Sequence, residues 1–317
     1  WNAMVQYEAS SEIGAVTEYF DCFAAGDYET AAATSGFLFD ERNSKEDYVQ
    51  YLKDTFGSDF SDLRFAGRDG DAEGEKIYRI YAGDTALGEV CLLPVEGQAR
   101  QWKVVARVVY ADPVSVVAPS YVTVFANGVA VEAAADATAV PHEDFASLAG
   151  VFDVPTKVSY SLEGYLYSPS VTGSAPDGTP CGSTVGEDGT IVMTVPPTAA
   201  QGEQYEQLMI EFSQLYAKFI SEDATFSQLK SKIDRSCPFY TAVAQFDNHW
   251  YVAHTGFEFR NTEITDVVRP AEGFFSGTIR FDHVVFRNAK EHVYPSAYRL
   301  SFRLVDGQWL LADLKIL

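Results

Sequence analysis

Two stretches of this sequence end alike. Gln101-Trp102-Lys103-Val104-Val105-Ala106 and Gln308-Trp309-Leu310-Leu311-Ala312 each close a series of alternating segments that follows a group of helical ones. A chain that runs helices first and strands afterwards is constrained to an α+β plan. Sequential strands pair with one another, and the helices cover one face of the resulting sheet. The shared order and the shared Gln-Trp strand predict a duplicated domain. At ~100–200 residues per domain, 317 residues leave room for two or three.

Two proline-bearing seams set the expected boundaries. One runs from Ala111-Asp112-Pro113 to Pro119-Ser120, and the other is Pro196-Pro197-Thr198-Ala199-Ala200-Gln201-Gly202, whose composition favours an extended connector. They divide the chain into residues 1–115, 116–199 and 200–317. In the first segment Ile13, Val16, Phe20 and Phe23 fall on one helical face that Gly26 ends, and a second helix follows Asp27-Tyr28-Glu29. A third begins at the capping box Ser44-x-x-Asp47 and runs through Tyr48, Leu52 and Thr55 to Gly57. The period then changes to two, predicting strands over 76–81, 89–95 and 102–110.

The middle segment reads as a small β-sandwich with a short turn near His142–Leu148. Asn127-Gly128 between Val122-x-Val124 and Val129-x-Val131 is a hairpin signal, Val158, Tyr160 and Leu162 alternate with polar residues, and residues 191–195 close the segment. The third segment repeats the plan of the first. Tyr205, Leu208, Phe212, Leu215, Tyr216 and Phe219 describe a long amphipathic helix. Thr225 begins a second helix, Pro238 opens a third, and strands are expected over 257–264, 277–287, 298–305 and 309–316.

The net charge of −22 disfavours nucleic acid and other polyanions as partners. Its distribution is uneven: −11 over residues 1–115, −8 over 116–199 and −3 over 200–317. No run reaches the ~18–20 apolar residues that span a bilayer, so the expectation is a soluble chain. Cys22, Cys91, Cys181 and Cys237 form no CxxC pair, which argues against structural zinc and leaves two disulfides or four buried thiols open. With Trp1 first and no signal peptide, the chain is either cytosolic or follows a removed targeting segment.

Three helices, an antiparallel sheet and the terminal Gly307-Gln308-Trp309 strand resemble the NTF2-like, cystatin-related cone fold. Gly26-Asp27-Tyr28-Glu29-Thr30-Ala31-Ala32 is similar to a turn that many such domains carry. The hairpin Val124-Phe125-Ala126-Asn127-Gly128-Val129 ahead of the strand at 158–167 resembles the small β-domains of Gram-positive envelope proteins. The combination is similar to extracellular parts of membrane-anchored proteins of the teicoplanin-resistance-associated type, and to the NTF2-like N-terminal domain of penicillin-binding transpeptidases. The resemblance implies two NTF2-like cones flanking a small all-β domain, an extracellular, cell-surface-anchored location, and a lipoprotein signal or membrane anchor ahead of Trp1. It implies no cofactor.

Motif chemistry is sparse. Ser227-Gln228-Leu229-Lys230 matches S-x-x-K, but no K-T-G or S-D-N accompanies it. Asp69-x-Asp71-x-Glu73-Gly74 imitates a calcium loop whose twelfth position is Ile80, so a solvated turn is the better reading. His142, His249, His254, His283 and His292 have no metal-ligand spacing. Gly-rich phosphate loops, a G-x-S-x-G elbow and a Rossmann fingerprint are all missing. The C-terminal cone offers more. Alternation places Ile279, Phe281, His283 and Val285 on one face of a strand and Arg280, Asp282 and Val284 on the other. His283 is thereby aimed inward, as a packed core histidine or as part of a His–Tyr site.

The candidate pocket comprises Tyr216, Tyr240, His249, Trp250, Arg280, His283, Arg303 and Trp309, with aromatics for a concave apolar lining and arginines, Arg299 among them, for reading an anion. Phe219, Phe239, Phe257 and Phe259 are expected in the core. The expected function is a non-enzymatic envelope binding or scaffolding protein whose ligand is a peptide, a cell-wall fragment or a partner protein. The alternatives are an NTF2-like enzyme with a His or Asp general base in the C-terminal cone, and a structural spacer.

Overall fold

In the structure, a computed structural model that describes residues 11–57, 60, 62–70, 75–95, 101–246 and 253–317, three capped helices open the chain. Ser11 accepts from the Gly14 amide ahead of α1 (Glu12–Ala24), and Asp27 accepts from the Thr30 amide ahead of α2 (Tyr28–Thr34). The Ser44/Asp47 capping box starts α3 (Lys45–Phe56), as the sequence predicts, and Gly57 ends it with a positive φ. Val16, Tyr19, Phe20 and Phe23 form the buried face of α1. Ile13, expected on that face, lies in the first turn and is 56% exposed.

These helices pack on an antiparallel sheet in the order β1 (Leu63–Asp69), β2 (Lys76–Ala82), β3 (Thr85–Pro94), β4 (Trp102–Ala106). The sequence reading leaves out β1, an edge strand with only Leu63 and Phe65 half-buried and hence little apolar alternation. It also carries β4 on to residue 110, whereas the strand stops at Ala106. There tyrosine hydroxyls of α3 replace the ladder: Tyr48 accepts from the Ala106 amide at 3.2 Å and Tyr51 from the Val109 amide at 2.8 Å. Residues 162–169 belong to the same unit as residues 1–113. Leu166 enters its core, and the buried Asn43 side chain holds the Leu166 amide at 2.7 Å and the Gly164 carbonyl at 2.8 Å.

A second unit comprises residues 114–161 and 170–317. Its first part contains β5 (Val114–Pro119), β6 (Thr123–Ala126), β7 (Val129–Val131), β8 (Val140–Pro141), β9 (Thr156–Leu162), β10 (Val171–Ser174), β11 (Gly182–Val185) and β12 (Ile191–Thr194). They form a sheet in the order β10-β6-β7 and another in the order β11-β12-β5-β9-β8. Asn127 and Gly128 both have positive φ, which closes the β6–β7 hairpin as its sequence predicts.

The second part begins with α4 (Ala199–Ile220), started by a Thr198/Gln201 capping box, then α5 (Phe226–Leu229) and α6 (Pro238–Ala244), which has proline at its start. An antiparallel sheet follows in the order β13 (Gly256–Ala271), β14 (Phe274–Arg287), β15 (Lys290–Val305), β16 (Gln308–Ile316). Strand β15 begins earlier than expected despite Pro295. Because β16 pairs only with residues 298–305, the first half of β15 is a sheet edge, where a missing amide donor costs little. Register shifts along β13, with positive φ at Asn261 and Asp266, bend that edge strand. Tyr205 of α4 stacks on Phe275 at 3.9 Å, and Phe275 on Phe302 at 4.6 Å. Gly277 lets Met209 sit directly on β14: a Cβ there would lie 2.8 Å from the methionine sulfur. The chain is therefore a mixed α+β protein.

Within the second unit a buried ion pair fastens the loop after β8 to β14 and β15. Asp144 receives Arg299 Nη2 at 2.6 Å and Ser276 Oγ at 2.5 Å, and Ser301 Oγ donates to its backbone carbonyl. Arg299 also donates to the Asp266 carbonyl at 2.8 Å. Burial pushes the Asp144 carboxyl pKa up, but the bonds from Arg299 and Ser276 outweigh it and hold the value below the usual one. Asp144→Asn leaves the guanidinium uncompensated and is expected to cost about 3–5 kcal/mol at pH 7, read by urea unfolding of the full chain. A carboxyl with a depressed folded value stabilises above its unfolded value and loses that contribution below it. The gap between the two proteins should therefore narrow as pH falls below about 3.9.

Candidate functional site

Strand alternation builds the site. Ile279, Phe281, His283 and Val285 are all buried, as their shared face predicts, and Ile279 and Phe281 pack in the core with α4 residues. The helix ends at Ile220 while β14 continues, so Ala217, Ile220 and Ser221 stand over a half-open cavity of about 380 Å³ rather than a packed layer. Its floor is His283 and Val285 with Tyr294, Ser296 and Tyr298, alternate residues of β15. His283 is register-paired with Tyr294. His254, ahead of β13, closes one side.

The His283 ring lies at 5.0 Å on Phe259, nearly parallel, and 6.0 Å edge-on from Phe257. It is 7% exposed, and its Nε2 has no hydrogen-bond partner among the described residues. Burial pushes its pKa down, with His254 and Lys218 acting in the same sense and Asp223 against them, so the ring is neutral at pH 7. His254 is held differently: its Nε2 lies 2.9 Å from Asp223 Oδ2, and Ser221 Oγ donates to that same oxygen at 2.6 Å. Lys218 lies over the Phe257 and Phe259 rings at 5.3 and 5.8 Å.

Of the candidate pocket residues that the structure describes, His283 is the one that lines this cavity. Tyr216 stands behind it, 5.8 Å edge-on to Tyr298, and Tyr240 packs against Phe226. Trp309 is in the core against Tyr205 and Phe275. Arg280 is exposed and borders a second recess with Asn261 and Asp282. Arg303 pairs with the buried Asp234 at 2.9 Å and lies 4.1 Å over Phe152, and Arg299 is held by Asp144. Both are engaged within the protein. His249 and Trp250 lie outside the described residues, as do Asp71, Glu73 and Gly74 of the calcium-like run. Ser227 is exposed on α5, and Leu229 beside it is fully buried.

Sequence reasoning missed the His254–Asp223 pair. The two are 31 residues apart, and no spacing rule links a helix-end loop to the start of a strand. Among the described residues no group of three His, Cys, Asp or Glu is placed to hold a metal, all four cysteines are free, and no helix is long and apolar enough to cross a membrane.

No protein-family model matches the chain, and no curated protein does. Among solved structures, the chain is similar to an Ntf2 like protein involved in plasmid conjugation. The likeness covers 94% of this chain and 96% of that one, at 10% identity and a TM-score of 0.27.

The electrostatics of the cavity can be read by NMR titration of the imidazoles in the full chain. His283 is expected to titrate below the ordinary histidine value of about 6.5. Asp223→Asn should move it further down, because that substitution removes the carboxylate that opposes the burial. An unchanged or raised value in the variant would contradict this arrangement.

Proposed function

We propose that this chain is a non-enzymatic binding or scaffolding protein of the cell envelope. In this reading two NTF2-like cones, residues 1–115 and 200–317, arise by duplication and flank a small β-domain at residues 116–199. An anchor or signal N-terminal to Trp1 holds the protein at the cell surface. The C-terminal cone receives an apolar group of a peptide, cell-wall fragment or partner protein. The single observation that carries the binding reading is the half-open, largely apolar cavity lined by His283, a buried imidazole whose Nε2 has no hydrogen-bond partner among the described residues.

A general base needs an oriented ring with a pKa near the working pH, whereas among the described residues His283 Nε2 has no partner to orient it, and burial pushes its pKa down. One observation favours the enzyme reading instead: His254, on the same cavity, is hydrogen-bonded to Asp223. Turnover of a bound compound that Asp223→Asn abolishes without weakening its binding would select that reading.

The binding reading is tested by retention of the purified full chain on Gram-positive sacculi and by its capture of soluble muropeptides, with Ser296→Trp alongside. Ser296 lines the cavity from a half-exposed position on β15, so an indole there fills the space without entering the core. Saturable retention of the parent, reduced at least about tenfold in the variant at equal thermal stability, is expected from loss of one buried apolar contact of a few kcal/mol. Equal retention of both proteins would move the site elsewhere. Retention of neither would remove wall fragments as the ligand.

A further inference from the structure

We infer that a recess of the first unit, where β4 ends, binds a carboxylate that carries a short apolar group, its oxygens taken by Arg107 with Arg79 beside it. This site does not rest on the His283 cavity. Strand length makes the recess. Strand β4 stops at Ala106 and the Arg107 amide still donates to the Glu89 carbonyl, but Thr85 to Gly88 of β3 run on with no strand beside them on that side. The opening measures about 640 Å³, within the ~300–1,000 Å³ range of small-molecule sites. Tyr51, Leu87 and Val109 give it apolar and aromatic walls, and Arg79, Glu89 and Arg107 give it charged ones. The Tyr51 hydroxyl accepts from the Val109 amide at 2.8 Å, which holds that wall in place.

The charges converge on one acid. Arg79 donates from Nε and Nη2 to Glu89 Oε1 at 3.0 and 2.7 Å, and Arg107 Nη1 donates to Oε2 at 2.9 Å. Arg68 Nη2 lies 3.8 Å from the same Oε2. One carboxylate thus answers three guanidinium groups, in a segment whose net charge is −11. Among the described residues no other carboxylate is within ion-pair distance of Arg79 or Arg107. The bond from Arg79, joined by that from Arg107, outweighs burial and holds the Glu89 carboxyl below its usual range, so it stays ionised and fixes both arginines. Donor geometry then sets the ligand class. Glu89 takes only Nη1 of Arg107; Nε and Nη2, the edge that meets a carboxylate with two parallel bonds, have no partner among the described residues. The side chains of Arg107 and Arg79 are 45% and 54% exposed, so a ligand can reach them. A single negative charge offsets part of the local cationic excess, whereas the −22 of the chain opposes the approach of a polyanion. Val109, 77% exposed, offers apolar surface to the rest of the ligand.

The probes are 4-phenylbutyrate, its neutral counterpart 4-phenylbutan-1-ol, acetate and inorganic phosphate. Each is titrated into the full chain at pH 7 and followed by ¹H–¹⁵N spectra that include the arginine Nε–Hε signals. 4-Phenylbutyrate is expected to bind about 10-fold more tightly than the alcohol, the size of a charge-assisted hydrogen bond, and more tightly than acetate or phosphate. It should shift the Arg107 Nε–Hε signal together with the Val109 amide. Arg107→Gln should remove the preference for acid over alcohol, and Arg107→Lys, which keeps the charge without the fork, should retain only part of it. Binding of none of the probes, equal binding of acid and alcohol, an unmoved Arg107 signal, or a preference that survives Arg107→Gln would overturn the site. Phosphate bound more tightly than 4-phenylbutyrate would overturn the choice of a carboxylate, and acetate bound as tightly would overturn the apolar part. Should Arg107→Gln fail to fold, Arg107→Lys and the spectra of the parent protein decide.

Discussion

The ion pair between Asp144 and Arg299 is the interaction on which the second unit depends. A carboxylate 6% exposed is tolerable only because two guanidinium nitrogens and a serine hydroxyl satisfy it. The carboxylate and its partners come from three places in sequence: Asp144 in the loop after β8, Ser276 on β14 and Arg299 on β15. Arg269 repeats the device on β13, donating to Asp177 at 2.7 Å and to the Pro196 carbonyl at 3.1 Å. The β-rich residues are thereby fastened to the sheet by polar geometry, which is directional, as well as by the apolar cluster of Phe145, Leu148, Phe152 and Phe274. Such pairs add less stability than they cost to break, but they admit few alternative arrangements.

Strand β14 connects that fastening to the cavity. Ser276 and Thr278 at one end face the buried pair, and Thr278 Oγ1 lies 3.3 Å from Arg299 Nη1. One step on, Gly277 admits Met209, which seats α4 against the strand. Helix and strand then continue side by side until α4 stops at Ile220. The strand runs on toward Arg287, and His283 and Val285 share the cavity with Ala217 and Ile220 of the helix's last turn. The cavity thus lies where the end of α4 meets β14 and β15, with Ser221 and His254 of the adjoining loops on its rim.

What was legible in the sequence follows from the range of the interactions concerned. Caps at Ser44 and Thr198, the Asn127-Gly128 turn and Pro238 at a helix start are settled by chemistry within four residues. The inward face of His283 follows from strict alternation on a strand. The partners of Arg299 and Arg303 lie 155 and 69 residues away, so from sequence they resembled free cations suited to an anionic ligand. In the structure they are neutralised internally. Strand β1 was unreadable for the opposite reason: an edge strand half-buried on one face leaves no apolar rhythm to detect.

Charge acts on a ligand at two distances. Far from the surface, a chain carrying −22 repels anions through its summed field, which salt attenuates over about 8–10 Å. At the cavity the charges are local: Lys218 lies over the Phe257 and Phe259 rings, and Asp223 accepts from Ser221 and faces His254. The C-terminal residues 200–317 carry only −3 of the total, so most of the acidic charge lies in residues 1–199. Salt therefore weakens the long-range repulsion of an anion and leaves short-range contacts at the cavity largely unchanged.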